Sequence, residues 1–116
     1  MKKILIAIVF SSSLLFLGAS CYKSSSNSTS STPVATNQVT MSSMAFNPST
    51  ITVSPGTTVT WTNQDSTTHT VTSDNNTFSS DRLSPGNNFQ FTFNNAGTFS
   101  YHCSIHTSMK GQVTVK

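Results

Sequence analysis

The sequence predicts an all-β domain of the sandwich or barrel type. Three observations predict it. From about Gln38 onward apolar residues recur at every second position. Turn-forming pairs separate these runs at short intervals. No stretch of this region has the 3.6-residue period of a helix. A chain of 116 residues suits one such domain.

The N-terminal elements come first. Lys2 and Lys3 precede an apolar run, Ile4 to Phe10, a serine triplet, and a second apolar run, Leu14 to Gly18. Gly18-Ala19-Ser20-Cys21 closes it, small residues before a cysteine. This is the layout of an export signal over residues 1–20 rather than of a membrane span. The segment resembles a bacterial lipoprotein signal, in which the cysteine becomes the lipidated first residue. The resemblance implies lipidation at Cys21. That pattern usually has Leu three residues before the cysteine; here Gly18 stands there and Leu17 one place further back. Residues 24–33, SSSNSTSSTP, are eight-tenths Ser and Thr and have nothing to bury. Residues 21–37 are therefore read as the lipidated cysteine and a flexible tether, which would span about 20–24 Å root-mean-square.

The domain proper is expected over residues 38–116. Its strand runs are Ile51 and Val53, Val59 and Trp61, Phe89, Phe91 and Phe93, Phe99 and Tyr101, and Val113 and Val115, each alternating with polar residues. Asn47-Pro48, Pro55-Gly56, Pro85-Gly86 and Asn94-Asn95-Ala96-Gly97 supply the turns. Trp61 and the three alternating phenylalanines are expected in the core, and Met41 and Met44 as packing residues.

Charge excludes several functions. Past residue 22 the basic residues are Lys23, Arg82, Lys110 and Lys116, against Asp65, Asp74 and Asp81, a net charge near +1. No strong field draws nucleic acid or an acidic surface. The two cysteines exclude a disulfide-dense scaffold.

The chemistry lies near the C-terminus, in Cys103-Ser104-Ile105-His106-Thr107-Ser108-Met109. The Cys-x2-His-x2-Met spacing lets a thiolate, an imidazole and a thioether converge from one loop between two strands. His69, 34 residues upstream, can close the site from the neighbouring sheet. Two His and one Cys with a weak axial Met are the donors of a blue-copper electron-transfer site. Structural zinc would want a fourth Cys or His, and haem attachment a Cys-x-x-Cys-His motif. A catalytic Cys–His pair would lack an orienting third group. A lone exported thiol is open to oxidation, and metal ligation would explain the persistence of Cys103.

Residues 44–116 resemble a cupredoxin of the plastocyanin/amicyanin kind. The matching stretches are Met44-x-Phe46-x-Pro48, Ile51-x-Val53-x2-Gly56-x2-Val59-x-Trp61-x-Asn63, His69-x-Val71, and Phe91-x-Phe93-x2-Ala96-Gly97-Thr98-Phe99-x-Tyr101-His102-Cys103-x2-His106-x2-Met109-x-Gly111-x-Val113-x-Val115. The short Cys-to-Met loop is most like amicyanin. The resemblance implies a Greek-key β-sandwich with one copper ion near one end. It implies His69, Cys103 and His106 as strong equatorial ligands, Met109 as the weak axial one, and one-electron transfer between larger redox proteins. His106 would be the electron port. The carrier would be a monomer, exported and lipid-anchored to a bacterial membrane on its periplasmic side or at the cell surface. An alternative is a protein that scavenges or delivers copper in the envelope, with Met41 or Met44 as extra ligands. A self-contained multicopper enzyme would need more histidines than His69, His102 and His106.

Three departures from the family pattern carry expectations. Many relatives have Pro where Ile105 stands. Ile105 keeps its N–H, which with that of Thr70 is expected to point at the Cys103 sulfur. Thr68 and Thr70 replace the usual Pro and Asn around the first His, and Thr70 with Ser104 is expected to brace the ligand loops. His102, one residue before Cys103, is expected on the opposite side of its strand.

Overall fold

The computed structural model describes residues 33–116; the segment expected to be an export signal, residues 1–20, and Cys21 lie outside them. Eight strands form: β1 (Gln38–Ser42), β2 (Ala45–Asn47), β3 (Thr50–Val53), β4 (Thr57–Asn63), β5 (Thr72–Ser73), β6 (Asn88–Phe93), β7 (Gly97–His102) and β8 (Lys110–Val115). They make two four-stranded sheets, β2-β1-β4-β6 and β3-β8-β7-β5. Most neighbours run antiparallel; β1 with β4 and β3 with β8 are parallel, because their connections cross between sheets.

The period-two runs appear as strands with one buried face. In β3 and β8, Ile51, Val53, Val113 and Val115 point inward while the threonines between them stay half-buried. Trp61 is fully buried and meets Phe78, Phe89, Phe93 and Tyr101 at centroid separations of 5.8, 5.8, 6.3 and 5.5 Å. Tyr101 packs over Gly111, its cross-strand partner on β8, where any Cβ would collide with the ring. Burial pushes the Tyr101 phenol up to about 12.

Two core expectations are corrected. Of the three phenylalanines of β6 only Phe93 is buried; Phe89 and Phe91 are half-buried and pack against the core. Met41 is fully buried, but Met44 is 44% exposed at the tip of the β1–β2 hairpin and packs nothing of the core. The chain also joins the sheet ahead of β1: the Val34 N–H donates to the Thr50 carbonyl (3.2 Å) and its carbonyl accepts from Thr52 N–H (3.0 Å).

The turn signals act as the sequence suggests. Pro55-Gly56 and Pro85-Gly86 are the centres of turns closed by Thr57 N–H to Ser54 and Asn87 N–H to Ser84, with φ of 88° and 87° at the glycines, values that suit residues without a Cβ.

Strand register places three loops at one end. Thr72 at the start of β5 pairs with His102 at the end of β7, so the β4–β5 loop meets the β7–β8 loop. Met41 pairs with Asn63 at the end of β4, which brings the β1–β2 turn beside the same loops.

Candidate metal centre

His69 sits on the β4–β5 loop, and its backbone is locked by a bridge to Leu83: the His69 N–H donates to Leu83 (3.1 Å) and the Leu83 N–H donates back (2.8 Å). Buried Asn63 shapes this loop. Its Nδ2 donates to the carbonyls of Thr67 (2.8 Å) and Leu83 (2.9 Å), and its Oδ1 accepts from Asp65 N–H (2.9 Å). The loop thus keeps one geometry without the proline found in many relatives.

Cys103 follows β7 immediately and is fully buried. Its N–H donates to the Met109 carbonyl (3.1 Å), and the Met109 N–H donates to the His106 carbonyl (2.9 Å). These bonds curl the loop so that His106 faces back toward Cys103. His106 is half-buried and Met109 is 2% exposed.

Three donor atoms converge. His69 Nδ1 and His106 Nδ1 are 3.1 Å apart, and Cys103 Sγ lies 3.9 Å from each. The centre of such a triangle is about 2.1 Å from every corner, close to the metal–nitrogen and metal–thiolate bond lengths of protein sites. A thiolate with two imidazoles in a trigonal array suits copper, and the residues fit that ion.

The surroundings prepare the thiolate. Burial raises the Cys103 thiol, but the N–H groups of Thr70, His106 and Ile105 and the His69 ring outweigh it and lower it to about 6. Thr70 N–H lies 3.4 Å from the sulfur. Thr70 Oγ1 is 2.8 Å from Ser104 Oγ and accepts from Ser104 N–H at 2.8 Å, so one hydroxyl ties the two ligand loops together. His102 points away from the centre, with Nδ1 2.6 Å from Asp74 Oδ1.

Sequence reasoning gave Asp65 no role. The structure puts its Oδ2 2.8 Å from His69 Nε2, while Ser43 N–H (2.8 Å) and Met44 N–H (3.0 Å) donate to the same carboxylate. The His69 contact, then the Met44 N–H, hold the Asp65 carboxyl below the usual carboxylate range. Asp65 and His69 are four residues apart, but in a loop that spacing carries no directional signal. Asn63 was legible only as a motif position.

Comparison with known proteins agrees with the geometry. The cupredoxin-like domain family matches residues 9–115. Plastocyanin of Scenedesmus fuscus is 34% identical over 86 residues, 63% of this chain and 88% of that protein. A purple cupredoxin from Nitrosopumilus maritimus has a TM-score of 0.64 at 32% identity, covering 68% of this chain and 98% of that one. A variant of amicyanin in its Cu(I) form has a TM-score of 0.65 at 28% identity, covering 75% of this chain and 90% of that one. A family match over nearly the whole chain, with the same sandwich in a protein that holds copper, shows that this chain belongs to the cupredoxin family, and His69, Cys103 and His106 stand positioned as a metal site within it.

Proposed function

We propose that the protein is a type 1 copper electron carrier of the bacterial cell envelope, and not an enzyme. It passes single electrons between a donor and an acceptor protein, held at the membrane by a lipid on Cys21 and by the part of the 21–37 segment that precedes Val34, where the chain joins the sheet. The observation that carries this reading is the buried triangle of one thiolate and two imidazole nitrogens. Met109, buried on the same loop, would supply the fourth and weaker donor in this reading.

Bound copper would supply a one-electron Cu(II)/Cu(I) couple. The chain's own residues do the rest. Asn63, the Leu83 bridge and the Thr70–Ser104 bonds hold the donors in one arrangement, so little must move when charge changes. N–H groups around Cys103 stabilise negative charge on its sulfur and weaken its donation to Cu(II). Burial of Cys103, His69 and Met109 keeps water from the donors. His106, half-buried, links the centre to the surface beside Ile105, which is 38% exposed. Docking at such a small and nearly neutral patch would be brief and only weakly dependent on salt.

The copper-delivery alternative would use Met41 or Met44 as extra ligands. Met41 is fully enclosed in the core, which favours the carrier. The test is a visible spectrum after one equivalent of Cu(II), then ascorbate, then air. An intense blue band that bleaches and returns supports the carrier. A colourless product, or copper lost on desalting, sinks it.

A further inference from the structure

Asp65 offers its carboxylate to three hydrogen-bond donors at once: Ser43 N–H, Met44 N–H and His69 Nε2. Two of the three are backbone N–H groups and can only donate. They belong to a tight hairpin turn in which Ser43 and Met44 have φ of 53° and 58°, a conformation that non-glycine residues seldom adopt. Asp65 therefore clamps a strained turn with both oxygens, Oδ1 on Ser43 N–H and Oδ2 on Met44 N–H, and the same Oδ2 meets a buried imidazole.

We propose that Asp65 is a positioning residue of the copper centre, which fixes His69 as the Nε2–H tautomer with Nδ1 directed at the metal and, through that hydrogen bond, favours Cu(II) over Cu(I). The proposal rests on the copper reading above. A carboxylate oxygen can only accept, so the nitrogen facing it must carry the proton. That leaves the lone pair on Nδ1, the atom that faces Cys103 Sγ and His106 Nδ1. His69 is fully buried and Asp65 half-buried, at 16% side-chain exposure, so water screens the contact only in part. A negative charge one imidazole away raises the basicity of Nδ1 and stabilises the more highly charged ion. It opposes the N–H groups around Cys103, which favour Cu(I). The resting potential is then a balance set from two sides of the triangle.

Asn cannot replace Asp here. An amide has one accepting oxygen and one donating nitrogen, and one of its arms would face a donor. The test compares the native protein with Asp65→Asn and Asp65→Glu. In the metal-free protein, long-range proton–nitrogen NMR should show His69 as the Nε2–H tautomer with slow exchange, and Asp65→Asn should lose that protection. In the copper-loaded protein, Asp65→Asn should lower the Cu(II)-to-Cu(I) affinity ratio at least tenfold, a rise in potential of about 59 mV. Asp65→Glu should recover part of the shift. If Asp65→Asn fails to fold, Met44→Gly in the same chain relieves the turn and restores a foldable background for the same measurement. A native Nδ1–H tautomer, or a potential that stays put or falls in Asp65→Asn, overturns the proposal. A native protein that forms no blue centre defeats the copper reading itself, whereas the tautomer measurement on the metal-free protein still decides what Asp65 does.

Discussion

Replacing Thr70 by Val keeps the shape of a nearly buried side chain and removes one hydroxyl. That oxygen accepts from Ser104 N–H at 2.8 Å, meets Ser104 Oγ at 2.8 Å and lies 3.9 Å from Cys103 Sγ. Val is close to Thr in size, so no cavity opens, and the loss is one of hydrogen bonding alone. Leaving a polar partner unmatched costs about 1–3 kcal/mol when it is buried. Ser104 is exposed, so water can re-satisfy it in part, and the lower half of that range applies, about 1–2 kcal/mol. For a domain of this size each kcal/mol moves the melting temperature by about 4–8 °C. The metal-free Thr70→Val protein should therefore melt about 4–16 °C below the native one in a circular-dichroism scan. Thr70→Ser, which keeps the hydroxyl, should lose less. Copper affinity should fall in Thr70→Val too, because the hydroxyl joins the loops that carry His69 and Cys103. A Thr70→Val protein that melts with the native one would refute the idea that this hydroxyl braces the loops.

Further outcomes follow from the same structure. Ile105→Pro removes one N–H from the group that lowers the Cys103 thiol, so thiolate donation to Cu(II) strengthens and cyclic voltammetry should show a lower potential. Gly111→Ala places a methyl group in the ring of Tyr101 and should cost about 1–3 kcal/mol in urea unfolding. The Cys103 thiol stands at about 6 in the folded protein against a usual value of 9.0, so the folded chain releases its proton where the unfolded chain keeps it. The stability of the metal-free protein should consequently rise by about 1.4 kcal/mol per pH unit between those two values, be fully gained above the upper one, and be lost as pH falls to the lower. Cys103→Ser should flatten that slope.

Much of this molecule is legible along the chain, and the reasons are local. Alternation in Ile51 to Val53, Val59 to Trp61 and Val113 to Val115 marks strands because a pleated backbone turns every second side chain to the same face. Pro-Gly pairs mark turns because each residue carries its backbone preference with it. Cys103, His106 and Met109 announce a metal loop because they are close in sequence and share a chemistry. Other expectations failed where burial depended on neighbours. Phe89 and Phe91 alternate as regularly as Phe93 on the same edge strand, yet only Phe93 is fully covered, and nothing in the local sequence separates the three. Met44 reads as apolar packing, yet it stands exposed on a hairpin tip whose shape is held from Asp65, 21 residues away.

The sequence by itself determined the strand pattern, the turns and the identity of the soft donors, because periodicity, φ preference and ligand chemistry belong to single residues and their near neighbours. Only the tertiary structure decided that Asp65 would hold the far side of His69, that Thr70 would join the two ligand loops, and that the three donors would stand at metal-bonding distance. Those facts depend on where β1, β4, β5 and β7 end relative to one another, and strand register between two packed sheets is settled by the whole core rather than by any one segment.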